Sequence, residues 1–132
     1  MKLELNAASK IQADAVLEQG DHTILVQRTL RSGQTIEYAG NVVVLGDVNP
    51  GAEIIAGGHV VVMGALRGVV HAGALGDQSA TITAFLLEPT QLRIASHITR
   101  PPDGMNTLEV IEPEIARIKD DMVIIEKYEV NK

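Results

Sequence analysis

Two seven-residue phrases decide the reading of this chain: GNVVVLG, Gly40 to Gly46, and GHVVVMG, Gly58 to Gly64. They lie eighteen residues apart. Laid over itself at that offset, the chain also matches Ile36 with Ile54, Leu45 with Met63 and Val48 with Leu66. Self-similarity at a fixed period is the mark of a repeat architecture. A finer period runs inside it. Leu30, Ile36, Val42, Val48, Ile54, Val60, Leu66 and Ala72 follow at steps of six, and all are aliphatic.

An amphipathic helix needs apolar residues at steps of three and four, which this series lacks. A strand turns alternate residues to one side, but no single strand runs for forty residues. Three short strands joined by bends satisfy both periods. Each side then uses about six residues and each coil about eighteen, so equivalent residues stack in columns inside a three-sided β-helix, or β-solenoid. The predicted fold is therefore all-β. Gly40, Gly46, Gly51, Gly57, Gly58, Gly64, Gly68 and Gly73 fall at the corners, where their tolerance of unusual backbone angles suits a bend. Gly76-Asp77 reads as one more corner.

Composition agrees. The 132 residues include one Phe, two Tyr and no Trp, which suits a narrow, regular interior. A net charge of −6 without a Lys/Arg cluster gives no basic face for phosphates, so no nucleic-acid partner is expected. The absence of Cys excludes disulfides and thiolate metal sites. No apolar run reaches the length of a membrane span, and the opening MKLELNAASK lacks an apolar signal core. The chain reads as soluble and intracellular.

The register loosens after Ala72. Ala80, Ile82 and Ala84 are expected to face inward, in a slightly longer coil with a bulge. TRPPDGMN is a loop, and EIARIKDDMVIIEKYEV reads as two strands around Lys119-Asp120-Asp121. That C-terminal hairpin is expected to cap the open end of the solenoid. Ala7 to Gln19 reads either as a short helix stopped by Gly20 or as a linker, with HTILVQRTL starting the first coil.

Two stretches stand out as functional candidates. RSGQ, Arg31 to Gln34, interrupts the aliphatic pattern with a charge, a hydroxyl and an amide. It is either a plain turn or an exposed recognition corner. The VVV runs put valine on both sides of the sheet. Val43 and Val61 are candidates for an apolar outer stripe suited to pairing, unless Val42, Val44, Val60 and Val62 are the outward set. His22, His59, His71 and His97 are the candidates for the general base of a hexapeptide-repeat acyltransferase. His59 and His71 fall at outward positions with no Asp or Glu clearly placed to orient them. No metal-ligand spacing appears, and GALGDQ lacks the pattern of a phosphate loop. No catalytic residue, metal or cofactor is expected.

RTLRSGQ, then GDVNPGAEIIAGGHVVVMGALRGVVHAGA, then the GD corner and the closing PEIARIKDDMVIIE, together resemble the C-terminal domain of the MinC family of bacterial septum-site-determining proteins. The resemblance covers residues 28 to 127 and implies a right-handed β-helix. It divides the chain into a linker or short N-terminal segment at 1–27, the MinC-like domain at 28–127 and a tail at 128–132. It further implies a homodimer through an outer face. It makes Arg31, Ser32, Gly33 and Gln34 the contact to the membrane-associated ATPase MinD. In that picture Arg31 pairs with acidic groups of MinD, Gln34 supplies amide hydrogen bonds and Gly33 lets the backbone approach. MinD would recruit the chain from the cytoplasm to the inner face of the membrane, where the family antagonises assembly of the tubulin-like FtsZ. The resemblance implies no chemistry on the chain itself. Family members carry a further N-terminal domain that acts on FtsZ, whereas 27 residues precede RTLRSGQ here, so MinD binding and dimerisation are the more direct expectations. The alternatives are a bactofilin-like β-helix that stacks end to end, and the acyltransferase.

Overall fold

In a computed structural model, residues 22–99 and 112–129 are described. Eleven strands form two sheets. One sheet contains β1 (Thr23–Val26), β3 (Asn41–Val44), β5 (Val60–Leu66), β7 (Ile82–Leu87), β10 (Glu114–Lys119) and β11 (Met122–Lys127), in that spatial order. The other contains β2 (Thr35–Tyr38), β4 (Glu53–Ala56), β6 (Val69–Ala72), β8 (Gln91–Ile94) and β9 (His97–Thr99). Odd and even strands alternate between the sheets as the chain climbs, and each strand lies parallel to its neighbour one coil away. The third wall is narrower: Leu30 bridges Val48, Val48 bridges Leu66, and Leu66 pairs with Leu87. Those pairings make the three-sided solenoid.

The six-residue series is the core. Leu30, Ile36, Val42, Val48, Ile54, Val60 and Leu66 are all fully buried, as are Ala80, Ile82 and Ala84 in the last coil. Ile36 pairs with Ile54, and Val42 with Val60, eighteen residues on. One step of the expected register needs correcting. Val70, not Ala72, lies beside Ile54, so this coil takes sixteen residues on its second sheet. The cause is the corner. Where earlier coils use four-residue turns, here Arg67-Gly68 alone links Leu66 to β6. A Cβ on Gly68 would collide with the carbonyl of Ala52 below, so only glycine permits the shortcut. The following coil lengthens to twenty-two, from Val60 to Ile82. The bulge lies earlier than expected, between Val62 and Ala65. There the carboxylate of Asp47 accepts the N–H of Ala65 at 2.9 Å, satisfying a donor taken out of the ladder.

Most corner glycines serve stacking, not backbone angles. Gly40 and Gly57 have ordinary φ, but a Cβ on either would overlap a backbone oxygen of the coil below, of His22 and Ala39 respectively. Only Gly33, Gly51, Gly73 and Gly76 among the described glycines take positive φ.

β1 lies inside segment 1–27, read as a linker or short N-terminal segment, and within HTILVQRTL, read as the start of the first coil; its pairing with β3 makes it the first described strand of the solenoid. The Ala7–Gln19 reading and most of TRPPDGMN fall outside the described residues. At the far end, β9 turns back on β8 and β10 turns back on β7, both antiparallel, and β11 follows β10 as a hairpin. Asp120 and Asp121, both at positive φ, form its two-residue turn. His97 Nε2 and Asp121 Oδ1 meet at 3.0 Å and tie the two caps together.

Candidate partner-binding surfaces

The first corner is Arg31–Gln34. Gln34 N–H donates to the Arg31 carbonyl at 2.9 Å, closing a four-residue turn. Gly33, third in the turn, has φ +89°, which a type II turn requires at that place. The Gln34 side chain returns to lock it, its Oε1 accepting the Arg31 N–H at 2.7 Å. A Cβ on Gly33 would meet nothing within 4 Å, so glycine is needed here for its angle and not for space. Arg31, Ser32 and Gly33 are exposed. Among the described residues, no carboxylate pairs with the Arg31 guanidinium. RSGQ is thus a tight turn, and it holds Arg31 at an exposed corner.

A second turn of the same type stands one coil above. Ala52 N–H donates to Asn49 O at 3.0 Å, Pro50 occupies the second position and Gly51 the third at φ +92°. Gly33 N–H donates to Gly51 O at 2.9 Å. The two corners are hydrogen-bonded in register.

The valine question is settled by burial. Val42, Val44, Val60 and Val62 are fully buried, and Val43 and Val61 face out. They belong to a longer row, Leu25–Val43–Val61–Thr83, running across the first sheet. Beside it Leu45, Met63 and Phe85 follow one another up the next corner, each directly after the paired positions Val44, Val62 and Ala84. Leu25 is 55% exposed, Leu45 40%, Met63 44% and Phe85 44%. Neighbouring exposed apolar side chains of this size mark an interaction surface. Sequence reasoning matched Leu45 with Met63 but did not carry that pair into the stripe. Phe85 was missed because the twenty-two-residue coil moves it out of the eighteen-residue register.

The histidines have structural work. His59 Nδ1 accepts the Thr81 N–H at 3.0 Å, and the His59 backbone N–H donates to Asn41 Oδ1 at 2.7 Å, so the residue links the coils on either side of it. His71 Nε2 lies 3.0 Å from the Ala95 carbonyl, to which Arg93 Nε also donates at 3.2 Å. These bonds hold a turn in which Ala95 has φ 54°. Asp77 is held below the usual carboxylate range by the hydroxyl and then the N–H of Ser79, and it braces the Gly73–Ala80 loop. Among the described residues, no three His, Asp or Glu side chains group as metal ligands, and no helix is long and apolar enough to cross a membrane.

The structure is of the β-solenoid class, with an exposed Arg31–Gln34 corner and one apolar outer wall. The comparisons give the family. The profile of the septum formation inhibitor MinC, C-terminal domain, matches residues 24–128. The chain belongs to that family. It is 62% identical over 116 residues to a "Probable septum site-determining protein MinC" of Heliobacterium modesticaldum, covering 86% of this chain and 40% of that protein. To the one of Acetivibrio thermocellus it is 59% identical over 100 residues, covering 76% of this chain and 44% of that one. The chain thus spans less than half the length of these two relatives. Its fold matches a chain of the MinC:MinD cell division protein complex of Aquifex aeolicus with TM-score 0.76 and 40% identity, over 84% of this chain and 90% of that one.

Proposed function

We propose that this chain is a dimeric adaptor of division-site selection that docks on ATP-loaded MinD through Arg31–Gln34. MinD recruits it to the inner face of the membrane, and there it helps oppose FtsZ assembly away from midcell. The adaptor performs no covalent chemistry. The carrying observation is the corner itself: a locked turn that exposes an unpaired Arg31 guanidinium, in a chain 40% identical to one from a MinC:MinD complex. Arg31 supplies charge-assisted hydrogen bonds to acidic groups of the partner. Gln34 uses its carbonyl oxygen on the turn, so its amide nitrogen is the part that serves the partner. Val43 and Val61, with the exposed apolar residues around them, form the homodimer face.

The test is affinity for MinD with and without ATP. Arg31→Ala removes the cation, and Gly33→Asp puts a side chain where φ is +89°. Each is expected to weaken ATP-dependent binding by about tenfold or more, the effect of a central charged contact, with the melting transition retained. Undiminished binding by both variants overturns the assignment.

A further inference from the structure

We infer that Gly51, on the coil above, is a positioning residue for the Arg31–Gln34 corner and acts through Ser32. This rests on the reading of residues 31–34 as the MinD contact. Gly51 is itself exposed, so no crowded core demands a glycine there. What occupies the place of its missing side chain is Ser32. A Cβ built on Gly51 would overlap Ser32 Oγ and lie 2.9 Å from Ser32 Cβ and 3.1 Å from Ser32 Cα. Ser32 thus rests on a ledge that exists only because residue 51 has no side chain.

The backbone repeats the dependence. Gly33 hangs from Gly51 by its N–H, and Asn49 N–H donates to Leu30 O at 3.0 Å just before the corner. Glu53 N–H donates to Gln34 O at 2.9 Å just after it. The recognition turn is therefore fixed from the Asn49–Ala52 turn, two hydrogen bonds flanking it and one at its centre. A methyl group at residue 51 cannot be absorbed by a flexible side-chain tip, because Ser32 Cβ and Cα are also in the way. It must displace Ser32 and with it Arg31, while the columns of buried aliphatics on the core side stay in place. Pro50 holds the upper turn in shape by fixing its own φ.

The experiment uses the full chain, ATP-loaded MinD as the probe and amide hydrogen exchange as a readout independent of MinD. Gly51→Ala is expected to speed exchange at Gly33 about tenfold or more, leave β4 and β6 protected, and weaken MinD binding about tenfold. Gly51→Asn separates collision from backbone angle, since Asn tolerates positive φ but carries a Cβ. It is expected to weaken binding as well. In a Ser32→Gly background the collision is relieved, so Gly51→Asn, which tolerates the angle, is expected to cost at most a small further factor relative to Ser32→Gly alone. Unchanged exchange at Gly33 in Gly51→Ala overturns the inference. So does wild-type binding by Gly51→Ala while Arg31→Ala loses it, and so does a Gly51→Asn effect undiminished in the Ser32→Gly background. Wild-type binding by Arg31→Ala defeats the site reading itself, and with it any role of Gly51 in binding.

Discussion

Tyr38 is the one aromatic ring in the described core, and it sits on β2 at the start of the solenoid beside His22, ring centroids 5.8 Å apart. Its hydroxyl is buried and finds no hydrogen-bond partner among the described residues. A buried hydroxyl left unpaired costs about 1–3 kcal/mol. Tyr38→Phe is therefore expected to raise stability by about 1 kcal/mol in urea unfolding, and a loss of stability would mean the hydroxyl is satisfied. Burial also pushes the Tyr38 hydroxyl above its ordinary 10.0. The unfolded chain releases that proton first, so the wild type is expected to lose stability as pH climbs past 10.0 through the folded value, a slope that Tyr38→Phe reduces. Glycine shows how far single residues could be read. Their corner positions follow from the spacing, but their cause does not. Gly40 and Gly57 are required by a neighbouring coil's carbonyl, a contact between residues about eighteen apart that no local angle preference announces.

At the scale of elements, strands whose neighbours lie one period away were legible, because identical columns demand identical spacing. The side-chain ladders were not. Thr23–Asn41 and Asn41–His59–Thr81 are polar contacts across coils, and each looks like an ordinary surface residue in sequence. The cap hairpin was legible from its alternation and its Asp-Asp turn, while its docking on β7 was not, since the pairing is antiparallel and breaks the period. That docking brings Glu114 opposite Ala84. Partial burial raises the Glu114 carboxyl above its ordinary 4.5, and Glu112 and Glu88 nearby add to the shift. A raised carboxyl means that the ionised form is disfavoured in the fold. This penalty is present above the folded value and relieved as pH falls through it. Glu114→Gln is expected to raise the melting temperature at pH 7, with the advantage shrinking as pH falls through the raised folded value and gone well below 4.5, where the wild-type carboxyl is protonated in both states. Equal gains at pH 7 and at pH 3 would assign the effect to packing instead of charge.

The whole molecule has three walls, and they are chemically unlike. The outer row of the second sheet carries Glu37, Ile55, His71 and Arg93, and the third wall is reduced to isolated bridges and corners. Among the described residues, only the first sheet presents an outer row of aliphatics, Leu25, Val43 and Val61, flanked by a column of Leu45, Met63 and Phe85. A wall of stacked, hydrogen-bonded strands does not collapse to hide such residues, so water is excluded from them only by another surface. A second copy offers an identical wall, and a two-fold pairing sets each residue against its own kind or a near neighbour. A stable interface needs about 800 Å² on each side, so such a pairing would bury the row, its flanking column and their polar margins together. Met63 adjoins both row and column. Met63→Glu would bring two carboxylates into the face and is expected to turn the proposed dimer into a monomer by sedimentation equilibrium, with the melting transition of the solenoid kept because the side chain is already 44% exposed. Leu75 is more exposed still, at 72%, but stands on the Gly73–Ala80 loop off this wall, so Leu75→Glu is expected to leave the dimer intact. Dissociation by both would point to general destabilisation, and dissociation by neither would remove the apolar wall from the dimer. Binding to MinD is the complementary measurement: the recognition corner lies on a different part of the coil, so a monomeric Met63→Glu chain is expected to keep its affinity per site and lose only the avidity of two corners acting together.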